Sequence, residues 1–310
     1  MRRFLIAFLF LAFTSQSFSQ EDENRIISSV VLDSMVVFAG ELTEEDFINQ
    51  ILSDSNFYNS FADLKFYNYV GKYDLRTYDK RSKLEGKSAL IVNHEITNGI
   101  QKTQTVSQVD SGNLYKKNGE YELFTIRMFS YLFPFKGQIN LAKAENESDL
   151  GGIESNFREK LKKLICYPGQ PIDGIPFLGD KTAIFDDKMR PFYTYEFFHA
   201  TYQDTIPVYR FRCKLKDEFK NGKESLLIDE LTSLFEKSTF NVIARYIEMS
   251  YDKPIAKCDV KMSFELQYVG ENLVAKEIEY DGFWDVPLKK KEKAYFKVTH
   301  SNLSGSDFVK

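Results

Sequence analysis

The side chains that could carry chemistry are few: three histidines, three cysteines and some adjacent acidic residues. His94-Glu95 begins like a zinc-binding helix, in which two histidines one turn apart share the metal, but Asn98 stands where the second should be. His199 and His300 fall singly on other strand-like segments, and no Gly-x-Ser-x-Gly elbow accompanies any of them. Asp186-Asp187 precedes a strand-like run, and Asp229-Glu230 lies between Ile228 and Leu231. Turn chemistry explains both pairs, and nothing in the sequence brings two carboxylates to the facing positions of a glycoside hydrolase. Cys166, Cys213 and Cys258 are spaced too widely for a metal motif, and an odd count leaves one unpaired. The expectation is of no catalytic residue, no metal and no cofactor. With no visible catalytic partner, all three histidines should be replaceable without loss of activity.

Charge narrows the partners. Lys289-Lys290-Lys291 with Lys293, beside Phe283-Trp284, could meet lipid headgroup phosphates, but a solvated hairpin loop is the simpler reading. The chain has 41 basic and 45 acidic residues, a net charge of -4, which argues against nucleic acid.

Arg2-Arg3, an apolar run from Phe4 to Phe13 and the small residues Ser17 and Ser19 form a secretory signal peptide over 1–19, with cleavage expected before Gln20. The run is too short to span a bilayer, so no transmembrane segment is expected in the mature chain. Export places the protein in the periplasm or outside the cell.

Periodicity assigns most of the remaining elements. Ile26 to Phe38 reads as a strand or extended arm. Thr43 and Asp46 form a capping box ahead of Phe47, Ile48, Ile51 and Leu52, giving a helix over 43–53. The runs 64–78, 88–109 and 120–133 read as strands. Ile153, Phe157, Leu161, Leu164 and Ile165 give a second helix over 153–166, stopped by Pro168-Gly169. The Pro/Gly-rich stretch 167–181 is a connection between an N-terminal part, 20–166, and an antiparallel meander over 182–310 that continues the same sheet. The fold class is therefore α+β: a mainly antiparallel curved sheet, an unclosed β-barrel, with two or more covering helices.

Strand alternation separates the two faces. Phe211 and Cys213 alternate with Arg210, Arg212 and Lys214; Val260, Met262, Phe264 and Leu266 alternate with Lys261, Glu265 and Gln267. Phe211, Cys213, Val260, Met262, Phe264 and Leu266 should form the apolar concave face and are the candidate ligand-contact residues. Cys213 and Cys258 both face inward as small apolar fillers, and a disulfide between them is the alternative. The hairpin series Tyr193-Thr194-Tyr195-Glu196, Val208-Tyr209-Arg210-Phe211, Ser225 to Glu230 and Glu277-Ile278-Glu279-Tyr280 resembles periplasmic lipoprotein-carrier proteins. It is also similar to the soluble region of a Bacteroidetes family of envelope proteins. The first resemblance implies an unclosed barrel lidded by helices over an apolar cavity; the second implies location and fold. Together they point to a non-enzymatic cell-envelope protein whose partner is a lipid, a lipoprotein or another envelope protein. An exported enzyme with an unrecognised site and a purely structural protein are the alternatives.

Overall fold

The computed structural model describes residues 30–32, 42–133, 137–141, 163, 166–172, 179–220, 226–254, 256–285 and 290–306. The signal peptide expected over 1–19 and most of the helix expected over 153–166 lie outside them. At its end, Lys163 and Cys166 are helical, and the Tyr167 N–H donates to the Lys163 carbonyl at 2.9 Å.

Twelve strands build one open antiparallel sheet among the described residues. They are β1 (Val30–Leu32), β2 (Tyr67–Tyr78), β3 (Leu84–Thr97), β4 (Ile100–Gly112), β5 (Gly137–Asn140), β6 (Tyr193–Tyr202), β7 (Ile206–Leu215), β8 (Ile228–Glu236), β9 (Val242–Lys253), β10 (Ala256–Val269), β11 (Asn272–Asp285) and β12 (Glu292–Gly305). Their spatial order is β1-β6-β7-β8-β9-β10-β11-β12-β2-β3-β4-β5. The meander β6 to β12 is thus extended at one side by β2 to β5, with β12 pairing directly to β2. The sheet curves around a core and does not close.

Three short helices cover the inner face: α1 (Glu44–Ser53), α2 (Asn56–Ala62) and α3 (Phe124–Leu132). In α1 the Thr43 hydroxyl accepts from the Asp46 N–H while the Asp46 carboxylate accepts from the Thr43 N–H, the reciprocal pair expected from the sequence. Phe47, Ile48 and Ile51 are buried beneath it. Asp54 starts α2 by accepting from the N–H groups of Asn56 and Phe57.

Two expectations need correction. The run 88–109 is not one strand: Asn98 and Gly99 both adopt positive φ, and Thr97 pairs with Ile100 across a tight two-residue turn. Only residues tolerant of that backbone make such a hairpin, and Asn-Gly is its usual pair. The run 120–133 is not a strand either, because 124–132 is α3. Ile126, Phe129 and Phe133 recur at helical spacing and are buried, and the helix receives its cap from far away in sequence. Glu292 at the start of β12 accepts from the Phe124 and Thr125 N–H groups at 2.8 and 3.0 Å.

One glycine shows how tightly the inner face is fitted. A Cβ on Gly282 would lie 2.0 Å from the Tyr280 hydroxyl, because the Tyr280 ring folds back along its own strand. That ring packs 5.0 Å from Phe129 of α3, and its hydroxyl accepts a hydrogen bond from the Trp284 indole N–H at 2.7 Å. Gly282→Val should push Tyr280 off Phe129 and cost roughly 1–3 kcal/mol. A lowered thermal midpoint with altered fluorescence of Trp284, the chain's one tryptophan, is the expected readout.

Candidate functional site

The six residues expected to form the apolar face are buried on the inner face, Phe211 and Cys213 on β7 and the other four on β10, with β8 and β9 between them. Phe211, Cys213, Val260, Met262 and Phe264 are at most 2% exposed, and Leu266 is 7% exposed. The rings of α1 and α2 fill the space above them. Phe47 stacks on Phe211 at 5.4 Å and meets Phe235 edge-on at 5.2 Å. Phe57 and Phe61 both approach Phe264 edge-on, at 6.2 and 5.9 Å. The inner face is therefore a packed core under a helical cover, and a ligand could reach these residues only by displacing that cover. Cys166, Cys213 and Cys258 are buried thiols that form no disulfide, and burial pushes Cys258 up to about 12. They serve as apolar fillers.

The outer face is less uniformly wet than alternation predicts. Arg212 pairs with Glu230 at 2.8 Å, and exposed Lys261 lies 3.6 Å from Glu248. Glu265, however, is buried, accepting from Gln203 at 3.2 Å and pairing with Lys276 at 3.6 Å, and Arg210 is buried too. Ala200, Tyr202, Val208, Leu234, Ile243 and Ala244 form a second apolar cluster beside them. The register of β10 on β11 shifts between Glu265 and Leu266, and Gln203 of the turn between β6 and β7 reaches Glu265 on this face.

Arg245 is the residue that sequence reading missed. It lies on the inner face of β9, opposite Phe264, and is fully buried. Its guanidinium sits 4.2 Å above the Phe57 ring, and its N–H groups donate to the Ser233 hydroxyl and the Cys166 carbonyl at 3.3 and 3.1 Å. Burial holds it down to about 10, with the nearby Asp54 carboxylate acting in the opposite sense. Asp54 is itself raised by burial and lowered by Arg245. A single cation thus joins the sheet, the start of α2 and the chain after residue 163. The segments flanking it are also tied down: Gln170 donates to the Leu52 carbonyl, Thr182 to the Gln170 carbonyl, and Tyr195 to the Ile184 carbonyl. Arg190 forks onto Glu45 of α1.

Two further polar groupings stand apart from this core. His94 and His300 do not lie alone: both are buried on the inner face around Tyr69, with ring centroids 4.0 and 5.0 Å from it. At the rim, a groove of about 610 Å³ is lined by Lys214, Phe219, Asp229, Ser250, Tyr251 and Asp259 among others. Asp229 occupies a β-bulge between Ile228 and Glu230, so it is re-aimed rather than held in a turn. Burial pushes it up to about 6, Ser250 opposes that rise, and Glu248 adds to it. Of the basic run, Lys290 pairs with Glu122 at 3.0 Å, Lys291 with Asp285, and Lys293 donates to Ser82, which is the behaviour of a solvated hairpin; Lys289 lies outside the described residues.

No family model matches the chain, and no curated protein matches it. Among solved structures it is similar, at 11% identity and a TM-score of 0.28, to a DUF1329 family protein from Desulfovibrio piger, over 86% of this chain and 93% of that one. With the same identity and TM-score it is similar to a domain described under outer membrane lipoprotein-sorting proteins, from Vibrio parahaemolyticus, over 86% of this chain and 95% of that one. Among the described residues no helix is long and apolar enough to cross a membrane.

Proposed function

We propose that this is an exported, non-enzymatic cell-envelope protein that binds the acyl chain of a lipid or lipoprotein between the inner face of its sheet and the helical cover. The observation that carries the reading is the cover itself: short helices lay Phe47, Ile48, Ile51 and Phe57 over a continuous aromatic-rich surface. Such a lid can be exchanged for another apolar body. Exposing those four side chains costs roughly 1.5–3 kcal/mol each, while each methylene taken in returns about 0.8 kcal/mol. Opening therefore costs about 6–12 kcal/mol, which a chain of about 16 carbons balances and one of about 4 does not.

Lipid extraction of the purified protein followed by mass spectrometry should reveal bound acyl chains. Calorimetric titration should find binding that strengthens steeply with chain length above that threshold. A protein that carries no lipid and ignores a 16-carbon fatty acid would overturn the proposal. The rim groove favours one second reading, an enzyme using Asp229 as a proton-transfer group, since a carboxyl near 6 in a groove suits acid–base work. Asp229→Asn should leave acyl binding unchanged under the first reading.

A further inference from the structure

The grouping of His94, Tyr69 and His300 lies on the inner face beside the C-terminal end of α3, and its construction is unusual. The three residues come from β3, β2 and β12, and both imidazoles are buried. His300 Nδ1 lies 2.9 Å from the Ala275 carbonyl, which can only accept, so Nδ1 carries the proton and Nε2 is a bare acceptor. His94 Nδ1 bonds the Thr103 hydroxyl at 3.0 Å. Nε2 of both rings is buried without a hydrogen-bond partner among the described residues. The groups placed against the pair are Tyr69 from β2, Thr103 from β4, the Ala275 carbonyl from β11 and Phe133 at the end of α3, 6.1 Å from His300, and a charge on His300 would oppose one on His94. Among the described residues no carboxylate bonds or ion-pairs with either ring, so a proton arriving on Nε2 would create a buried charge without a counter-charge.

We propose that this stack is an acid-operated latch, holding the C-terminal end of α3 on the sheet while both rings are neutral and releasing it when either is protonated. The geometry directs the opening to that end. The N-terminus of α3 is pinned by Glu292, whereas its C-terminal end rests Phe133 on Phe296 and His300. Thr103, the partner of His94, is also where β5 adds to β4. The sign follows from burial. Packed, the rings are held to about 3 and about 4; opened, they return toward the ordinary 6.5. The closed form is fully favoured above pH 6.5 and loses ground as pH falls from there toward 4.

The test is hydrogen exchange read by mass spectrometry on the full chain between pH 7 and 4, corrected for intrinsic rates, with Trp284 fluorescence alongside. Amides of 124–133 should lose protection at a higher pH than those of β8 to β10. His94→Phe with His300→Gln, which keeps a stacked ring and a donor to Ala275, should move that loss down by about one pH unit or more. An unchanged midpoint in the variant, or simultaneous loss of protection everywhere in the parent, would overturn the latch. Should the variant fail to fold, NMR titration of the parent's histidine rings decides: rings still neutral at pH 5 support it, and buried rings titrating near 6.5 in the folded chain overturn it.

Discussion

Met262→Asp is expected to leave no stably folded protein. Met262 is 1% exposed on the inner face, with Ile247 and Tyr280 opposite it on the neighbouring strands. The Tyr280 hydroxyl already serves Trp284. Losing the buried side chain costs about 2–5 kcal/mol, and stranding a carboxylate there adds several more, against a total stability of roughly 5–15 kcal/mol. Phe264→Asp, the obvious alternative, is a poorer probe, because Arg245 stands directly across from position 264 and would receive the new carboxylate. The control lies one residue away. Lys261 points to the exposed face, and Lys261→Gln should change stability by less than about 1 kcal/mol. Glu265 is no such control, being buried with Gln203 and Lys276. Urea titration of all three proteins checks the contrast; a Met262→Asp chain as stable as the parent would mean the faces are assigned backwards.

The second large effect belongs to Arg245. Arg245→Met keeps the length and loses the charge, leaving the buried Asp54 with the Asn56 and Phe57 N–H groups but without the arginine's charge to offset its own, at a cost of about 3–5 kcal/mol. Adding Asp54→Asn retains an acceptor for the Asn56 and Phe57 N–H groups while removing the stranded charge. The double variant should therefore be more stable than Arg245→Met alone, by about 1 kcal/mol or more. Strictly additive losses would show that the two residues do not interact. Because Arg245 also joins Cys166 and Phe57, the single variant should loosen the cover over the inner face, and any acyl binding should respond to it as well.

How much of this was legible in the sequence depends on whether one strand face or two are buried. β7 and β10 alternate apolar and polar residues along the sequence, so the inward set Phe211, Cys213, Val260, Met262, Phe264 and Leu266 could be read directly, whereas the burial of Arg210, Ser263 and Glu265 on the other face could not. The capping box of α1 is local and was equally plain. In contrast, Val242 to Ile247 is buried on both sides, and an arginine in such a run has no readable direction; Arg245 finds its partners at residues 54, 57, 166 and 233, far away in sequence. α3 was hidden because its aromatic content imitates a strand and its cap, Glu292, is supplied by tertiary structure. The Asn98-Gly99 hairpin is local and legible in the sequence, since Asn-Gly is the usual pair of a two-residue turn. His94 and His300 are more than two hundred positions apart, and only the pairing of β12 with β2 brings them to one ring.

That pairing also governs the order of assembly. β12 lies between β11 and β2, joining Tyr78 to Lys293 and Tyr67 to Gly305. The hairpins made by β2, β3 and β4 emerge early in synthesis but have no neighbour on the β2 side until the final strand exists. Through that interval Tyr69, Tyr73, Leu90 and Val92 have only part of their eventual packing. Closing so long a loop carries a large entropic cost ahead of any reward, which slows folding and prolongs the exposure of a sticky strand edge. A chain halted before Glu292 would be left with two unsatisfied edges, on β11 and β2, and with α3 deprived of its cap. Early truncation products should therefore aggregate rather than fold as smaller domains, and a circular permutant that makes β12 and β2 neighbours in sequence should fold faster than the natural order of strands.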